Sequence, residues 1–396
     1  MGANEAQRII EDLGEYLPQM TEWRRHIHAH PETAFEEVDT ARYVADRLRS
    51  FGVDEVHEGI ATTGVVGVIR GRTGGEAIGL RADMDALDMQ EVTGVPWQST
   101  RTGKHHACGH DGHTAMLLGA ARYLAATRRF DGTVNFIFQP AEEGLGGARA
   151  MLADGLFQRF PCQSLFGMHN RPKLAVGRFS VHKGPMMAGG AFFDIDIIGV
   201  GAHGARPESS VDPLMVGVQI ASTLQTIVSR NVRPVDTAVL SITQFRAGDA
   251  YNVIPQTARL SGTVRAFSND TMALIERNMR RVAQGVAESM GASAQVDFRV
   301  NFAPLVNDLE QATFAQSVCE ALVGADHVAT DMPLIMASED FSYMLEQVPG
   351  CFVNIGNGDV EGSCEVHNPG YDFNDAALPL GASFFAQVIE RKLAPA

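Results

Sequence analysis

Five side chains able to bind a metal (His105, His106, Cys108, His110 and His113) fall within nine consecutive residues. Thiolate and neutral imidazole are the donors that Zn²⁺ and similar borderline ions prefer, and Cys108 and His110 can both turn toward one ion. The run is too short to close a four-ligand site alone, so partners must come from elsewhere. The Glu142-Glu143 pair, His169 and His367 are the candidates. Cys108, His110, Glu143, His169 and His367 together exceed what one tetrahedral catalytic ion uses. If one of them bridges, they give two ions three contacts each. Cys108 or His110 is then the bridge, and a thiolate bridges more easily than an imidazole. Two ions held close together activate water and polarise a carbonyl. Hydrolysis also needs a proton carrier. Successive residues of an extended chain point opposite ways, so Glu143 can face a metal while Glu142 faces the water, takes its proton and passes it to the leaving group. Taken without the Cys/His run, the pair reads as an exposed acidic loop.

The elements that must position these groups follow from pattern. Ala41, Val44, Ala45 and Leu48 recur at helical spacing, within a helical region over 5–50. Inside it, His26, His28 and His30 alternate. Alternate residues do not share a helix face, which favours a helix end broken by Pro31, with solvated or hydrogen-bonded imidazoles, over a metal cluster. Strand-like runs cover 63–71 and 76–82, and the second leads into Arg81, Asp83 and Asp85. Carboxylates at the carboxyl end of a strand line sites in open α/β sheets. Asp83 therefore reads either as an orienting partner of a metal-bound imidazole or as part of a turn-forming Asp pair. Leu117, Ala120, Ala121 and Leu124 mark a helix that the Cys/His run opens. Apolar strands at 132–139 and 165–170 lead to Glu142-Glu143 and to His169. Each cluster thus follows a strand or starts a helix, which predicts a mostly parallel sheet covered by helices.

The texture changes near residue 188. Phe193, Ile195 and Ile197 alternate with Asp194 and Asp196, the pattern of a half-exposed antiparallel strand. A helix at 211–230, strands at 237–246 and 257–267, a helix at 269–290 and a strand at 293–300 complete a β-α-β-β-α-β order, the ferredoxin-like arrangement. The prediction is an α/β catalytic domain in two parts, 1–187 and 303–396, interrupted by an inserted α+β domain at 188–302. The closing part holds Ser338 to Ser342, a strand at 351–355, His367 and a C-terminal helix from about 375.

A chain of 396 residues with 45% hydrophobic and 20% charged content is an ordinary folded protein, long enough for two domains. A net charge of −15 without a basic stripe argues against a nucleic-acid partner. No apolar run is long enough to span a bilayer, and residues 1–6 do not read as a leader or a lipidation signal. Five scattered cysteines form no disulfide framework, so a cytoplasmic location fits best.

His106-Ala-Cys-Gly-His-Asp-Gly-His113, Pro140-Ala-Glu-Glu-Gly144, Met168-His-Asn170 and Ser338-Glu-Asp-Phe341 resemble the motifs of the metal-dependent amidohydrolases. That group includes hippurate hydrolase, bacterial N-acyl-amino-acid amidohydrolases and plant auxin-conjugate hydrolases, within the aminoacylase and carboxypeptidase G2 superfamily. Arg24 to Glu32, Gly199 to Gly204, Asn252 to Pro255 and Gly262 to Arg265 also match, so the resemblance runs through nearly the whole chain in order. It implies a zinc-exopeptidase-like catalytic domain, with two divalent metal ions on the five ligands named and Glu142 as base. It implies that the inserted domain is a lid through which the chain forms a homodimer or higher oligomer. It also implies that His203 reaches a neighbouring subunit's site and steadies the carbonyl oxygen, while Asn252 and Arg265 hold the substrate carboxylate. An Arg fork suits that task. Arg81 stands where many superfamily members have His, and with Cys108 and His110 this places the chain in the hippurate and auxin-conjugate branch. Zn, Mn, Co and Ni all suit the donor set. Glu208 stands where many relatives have His.

The implied activity is hydrolysis of the amide bond of a small N-acyl amino acid to a carboxylic acid and a free amino acid. A dipeptidase or carboxypeptidase on the same two-metal site is the alternative. A metal-dependent binder without turnover is a third reading, against which the intact Glu142 argues.

Overall fold

Strands Gly64–Arg70, Ala77–Asp83, Thr133–Gln139 and Ser164–Pro172 are buried along most of their length, as interior strands of a helix-covered sheet are. In the computed structural model, which describes residues 9–359 and 363–395, they belong to one eight-stranded sheet. Its order is Glu55–Ile60, Gly64–Arg70, Thr133–Gln139, Ala77–Asp83, Ser164–Pro172, Gly350–Gly358, Phe179–Val181, Val328–Ala329. The central strands from Thr133–Gln139 to Gly350–Gly358 are mutually parallel. Antiparallel neighbours flank them on both sides. This is the mostly parallel α/β sheet that the motif order predicts. The stretch 1–6 read above for a leader lies outside the described residues.

Helices Leu17–Ala29, Val38–Ser50, His110–Thr127, Leu309–Val323 and Leu378–Lys392 share one apolar core with alternate residues of these strands. Leu48, Leu117, Leu124, Phe136, Phe166, Val318 and Phe384 are all fully buried there. Ladder register sets the level of the functional side chains. Asp83 pairs with Gln139, and Arg81 with Gly167, so Asp83, the turn after Gln139 and His169 lie at the same carboxyl edge of the sheet. This is where open α/β sheets bind ligands.

The chain divides into two compact units. The larger holds the sheet just described, from the described residues up to Gly184, Val306–Pro333 and the described residues from Tyr343 on. The smaller is Pro185–Leu305 with Leu334–Ser342. It contains a four-stranded antiparallel sheet in the order Ala238–Ala247, Thr257–Ala266, Gly189–Ile198, Ser293–Phe302. Helices Pro213–Arg230 and Asn269–Ser289 start on the side-chain caps Asp212 and Ser268 and share a core with the sheet through Ile220, Leu224, Ile275 and Met279. Chain order and sheet order together are those of a ferredoxin-like β-α-β-β-α-β unit. A two-stranded ladder pairs Ala202–His203 with Val253–Ile254.

Candidate metal centre and its support

Helix His110–Thr127 begins within the Cys/His run because the chain turns sharply at Gly109, which has φ 94°. A Cβ at this position would collide with Asn170 Nδ2 and Tyr371 Oη, so only glycine fits both the conformation and the space. Past the turn, the donor atoms of Cys108, His110 and His169 lie within 4.8 Å of one another, as do those of Cys108, Glu143 and His367, and of His110, Glu142 and Glu143. The sulfur and Glu143 each belong to more than one group, so the three groups overlap in one place.

The far side of each imidazole is tied down. His169 Nδ1 donates to the carbonyl of Asn170 at 2.6 Å, which leaves the Nε2 lone pair facing Cys108 Sγ at 3.3 Å. His110 Nδ1 donates to Asp85 Oδ1 at 3.2 Å, and His110 Nε2 is buried with no hydrogen-bond partner among the described residues. Glu143 Oε1 is in the same condition, 3.1 Å from His367 Nε2 without hydrogen-bond geometry. Asp85 also accepts the Glu143 backbone N–H at 2.9 Å through its second oxygen, so one carboxylate orients two candidate ligands. The His367 backbone N–H donates to the Ala107 carbonyl at 2.8 Å, joining the distant loop to the Cys/His run. Leaving His110 Nε2 and Glu143 Oε1 buried without partners is costly. Sulfur, nitrogen and oxygen donors so arranged fit cations of the zinc type.

The local field points the same way. Burial and the Glu143, Glu142 and Asp83 carboxylates push the Cys108 thiol well above its usual range, so without a cation the sulfur holds its proton. Burial alone would lower His110, yet Asp83, Asp85 and Glu143 outweigh it and hold the imidazole up at about 10. Burial pushes His169 well down. Asp83, which burial would raise, is held well below the usual carboxylate range by His110, Arg81 and His113.

The structure brings all five candidate ligands and Glu142 to one place. Asp83 sits 3.7 Å from His110 Nε2, but its short contact, 2.6 Å, is with His113 Nδ1. Asp83 thus orients His113, and the imidazole of the candidate ligand His110 is held by Asp85. His113 Nε2 accepts the Asn170 backbone N–H at 3.0 Å, and Asn170 Nδ2 donates to the Cys108 carbonyl at 2.6 Å. Sequence reasoning assigned no part to Asp85, His113 or Asn170, although all three stand inside quoted motifs. It also missed Glu37, whose carboxylate accepts from the Ala141 N–H at 2.9 Å and from Thr63 Oγ1 at 2.7 Å. Ala141 has φ 53°, a strained value for a residue with a Cβ, and this bond supports the turn that presents Glu142 and Glu143. Burial pushes Glu37 up to about 7.

Of the three alternating histidines, only His28 turns inward. Helix Leu17–Ala29 runs through the stretch and stops at His30, ahead of Pro31. His28 Nδ1 lies 2.8 Å from Asp111 and Nε2 lies 3.2 Å from Glu91, both buried. Burial would lower this imidazole, but its bonds to Asp111 and Glu91 hold it at about 9. Arg24 adds ion pairs to Asp372 and Asp375 at 2.7 Å and to Asp111 at 3.6 Å. This network anchors the first turn of the ligand helix, and both ring nitrogens of His28 are engaged within it. His26 instead stacks on Tyr43, ring centres 4.3 Å apart.

The remaining candidates lie in the smaller unit. His203 is exposed and pairs with Val253, and the Gly204 N–H donates to the Asn252 carbonyl at 2.7 Å, so His203 and Asn252 are neighbours. Arg265 is half-buried, donates to Thr263 Oγ1 at 2.6 Å and to the Val264 carbonyl at 3.0 Å, and has no carboxylate partner among the described residues.

Comparison with known proteins adds an independent line. The model described as peptidase family M20/M25/M40 matches residues 79–391. Hippurate hydrolase of Campylobacter jejuni is 41% identical over 380 residues, covering 96% of this chain and 98% of its own. N-acetylcysteine deacetylase of Bacillus subtilis is 39% identical over 366 residues, covering 92% and 94%. The crystal structure of the Bacillus subtilis YXEP protein, described as a dinuclear metal binding peptidase from the M20 family, superposes with a TM-score of 0.84. It is 35% identical and covers 96% of this chain and 99% of its own.

Proposed function

This chain belongs to peptidase family M20/M25/M40, and from that premise we propose that it hydrolyses the amide bond of N-acyl amino acids. The observation that carries the proposal is the convergence of the donor atoms of Cys108, His110, Glu143, His169 and His367, while Asp85 and the Asn170 carbonyl tie down the imidazoles of His110 and His169 from behind. We assign these five side chains to two divalent ions, with Cys108 the chemically easier bridge and Zn, Mn, Co or Ni all compatible with the donors. Bound there, the ions supply Lewis acidity toward the scissile carbonyl and the attacking water.

The chain's own residues do the rest. Glu142, buried at the mouth of the ligand turn, takes a proton from water and returns it to the amine as the C–N bond breaks. The Ala141–Glu37 bond supports the turn that carries Glu142 and Glu143, whose carboxylates both come within 4.8 Å of a ring nitrogen of His110. We assign the substrate's α-carboxylate to Asn252 and Arg265, since Arg265 is a half-buried guanidinium with no carboxylate of its own. We assign His203, exposed on the smaller unit, to the carbonyl oxygen in a second copy's site, which makes a homodimer or higher oligomer the working form. No helix among the described residues is long and apolar enough to cross a membrane, and the five cysteines are free, which supports a cytoplasmic setting.

Hippurate hydrolase and N-acetylcysteine deacetylase among the relatives favour an acylated amine over a free one. A dipeptidase or carboxypeptidase on the same site is the second reading. The test is turnover of acetyl, benzoyl and indole-acetyl amino acids beside unblocked dipeptides, with each metal added separately. Hydrolysis of the acylated series is expected; hydrolysis of free dipeptides alone would move the assignment to a peptidase.

A further inference from the structure

One face of the large sheet carries a row of polar side chains that the mechanism does not use. Ladder register places His169 beside Asn354, and Asn354 beside Ser180, across three adjacent strands. Directly paired residues share a face of the sheet. Arg171 lies two positions beyond His169 and shares that face, level with Gly356 and diagonal to Asn354; because Phe179–Val181 runs antiparallel to Gly350–Gly358, His182 lies the other way along the sheet, toward Phe352. Ser180, His182 and Asn354 are each more than nine-tenths buried. Ser180 Oγ, His182 Nε2, Asn354 Nδ2 and Arg171 Nη1 are all buried without a hydrogen-bond partner among the described residues.

Arg171 is the informative member. It is half-buried, and among the described residues it has neither an ion pair nor a side-chain hydrogen bond. The nearby acid Glu365 is taken by Lys173 instead, at 2.5 Å. Guanidinium and amide N–H groups only donate, and native proteins rarely leave buried donors unmet. The group that answers such a set is an anion with paired acceptor oxygens, which the Arg fork matches in shape.

We propose that Arg171, Ser180 and Asn354 form a subsite, beside the candidate ligand His169, that takes a second carboxylate of the substrate. The proposal rests on the amidohydrolase reading above, which gives the α-carboxylate to Asn252 and Arg265 and leaves this face for another anionic group. That group belongs to an acidic amino-acid side chain or to a dicarboxylic acyl chain.

The experiment compares matched pairs. N-acetylglutamate is set against N-acetylglutamine, and N-succinylglycine against N-butyrylglycine, as kcat/KM ratios on the metal-loaded protein. The wild type favours the acidic member of at least one pair by tenfold or more, and the responding pair identifies the source of the carboxylate. R171M lowers that ratio by roughly tenfold to a hundredfold, the worth of a hydrogen bond to a charged group, and R171K keeps part of it. Ratios near one for both pairs in the wild type, or an unchanged ratio in R171M, overturn the subsite. Should R171M not fold, a lowered ratio in N354A supports the subsite and an unmoved one overturns it. If no acyl amino acid is turned over, the amidohydrolase reading fails by itself and calorimetry with N-succinylglycine decides the subsite. Binding to wild type that is lost in R171M supports it; no binding, or equal binding, overturns it.

Discussion

Replacing Asp85 by Ala removes two bonds at once, the one that orients His110 and the one that holds the Glu143 backbone. Outer partners of metal ligands typically contribute about 10- to 100-fold in metal affinity. That corresponds to about 1.4–2.8 kcal/mol per site. Asp85 is 1% exposed, so the severed partners are not opened to bulk solvent. The Glu143 N–H is left unmet, which costs the metal-free fold about 1–3 kcal/mol more. Asp85→Asn separates the two effects. Its amide oxygen can accept one of the two bonds, while its NH₂ meets a donor where the carboxylate met one. The assay is metal competition against a chromophoric chelator, with metal content by mass spectrometry and denaturant unfolding of the metal-free forms. D85A should bind at least tenfold more weakly and unfold earlier, with D85N between it and the wild type. Affinity in D85A equal to wild type would refute the argument that a pinned imidazole and a pinned backbone make the site.

Other outcomes follow from the same geometry. Gly109→Ala should destabilise the metal-free protein by more than about 1 kcal/mol, because Ala meets both a left-handed φ and the Asn170 and Tyr371 side chains; chemical denaturation measures it. His28 is held at about 9 in the fold, against 6.5 when unfolded. Its contribution is therefore complete below pH 6.5 and is lost as pH rises through 9, by at most about 3 kcal/mol. H28Q should flatten the fall of unfolding free energy across that window, and identical pH profiles would count against the His28–Asp111–Glu91 network. Glu37 acts in the same direction at lower pH: burial raises its carboxyl to about 7, so stability falls as pH rises from the ordinary carboxylate range through 7. E37Q should remove that slope, read by thermal unfolding of the metal-free protein.

What the sequence made legible was chemistry with strong local signals. Cys108 and His110 stood together, Glu142 and Glu143 followed an apolar strand, and most of the longer strands of both sheets were apolar or alternating runs. The strand Glu55–Ile60 was not picked out because its residues are mostly polar and half-exposed, so it lacks alternation. Helix Leu309–Val323 turns small residues such as Ala312 and Ala315 inward, which gives little contrast between its faces. The supporting shell was hidden for a different reason. Glu37 reaches Ala141 across 104 sequence positions and Arg24 reaches Asp372 across 348, each through one hydrogen bond, and no spacing rule encodes such pairs. Asp85 was visible as a residue, but choosing between it and Asp83 as the partner of His110 depends on side-chain direction at the end of a strand.

The central claim is that five converging side chains hold the ions while Glu142 moves the proton. It is tested most directly by Glu142→Ala, measured for metal content and for hydrolysis of N-benzoylglycine on the same preparation. The account predicts two ions per chain, as in the wild type, with turnover reduced by about 100-fold or more. Unchanged turnover, or a variant that loses its ions together with its activity, would contradict it.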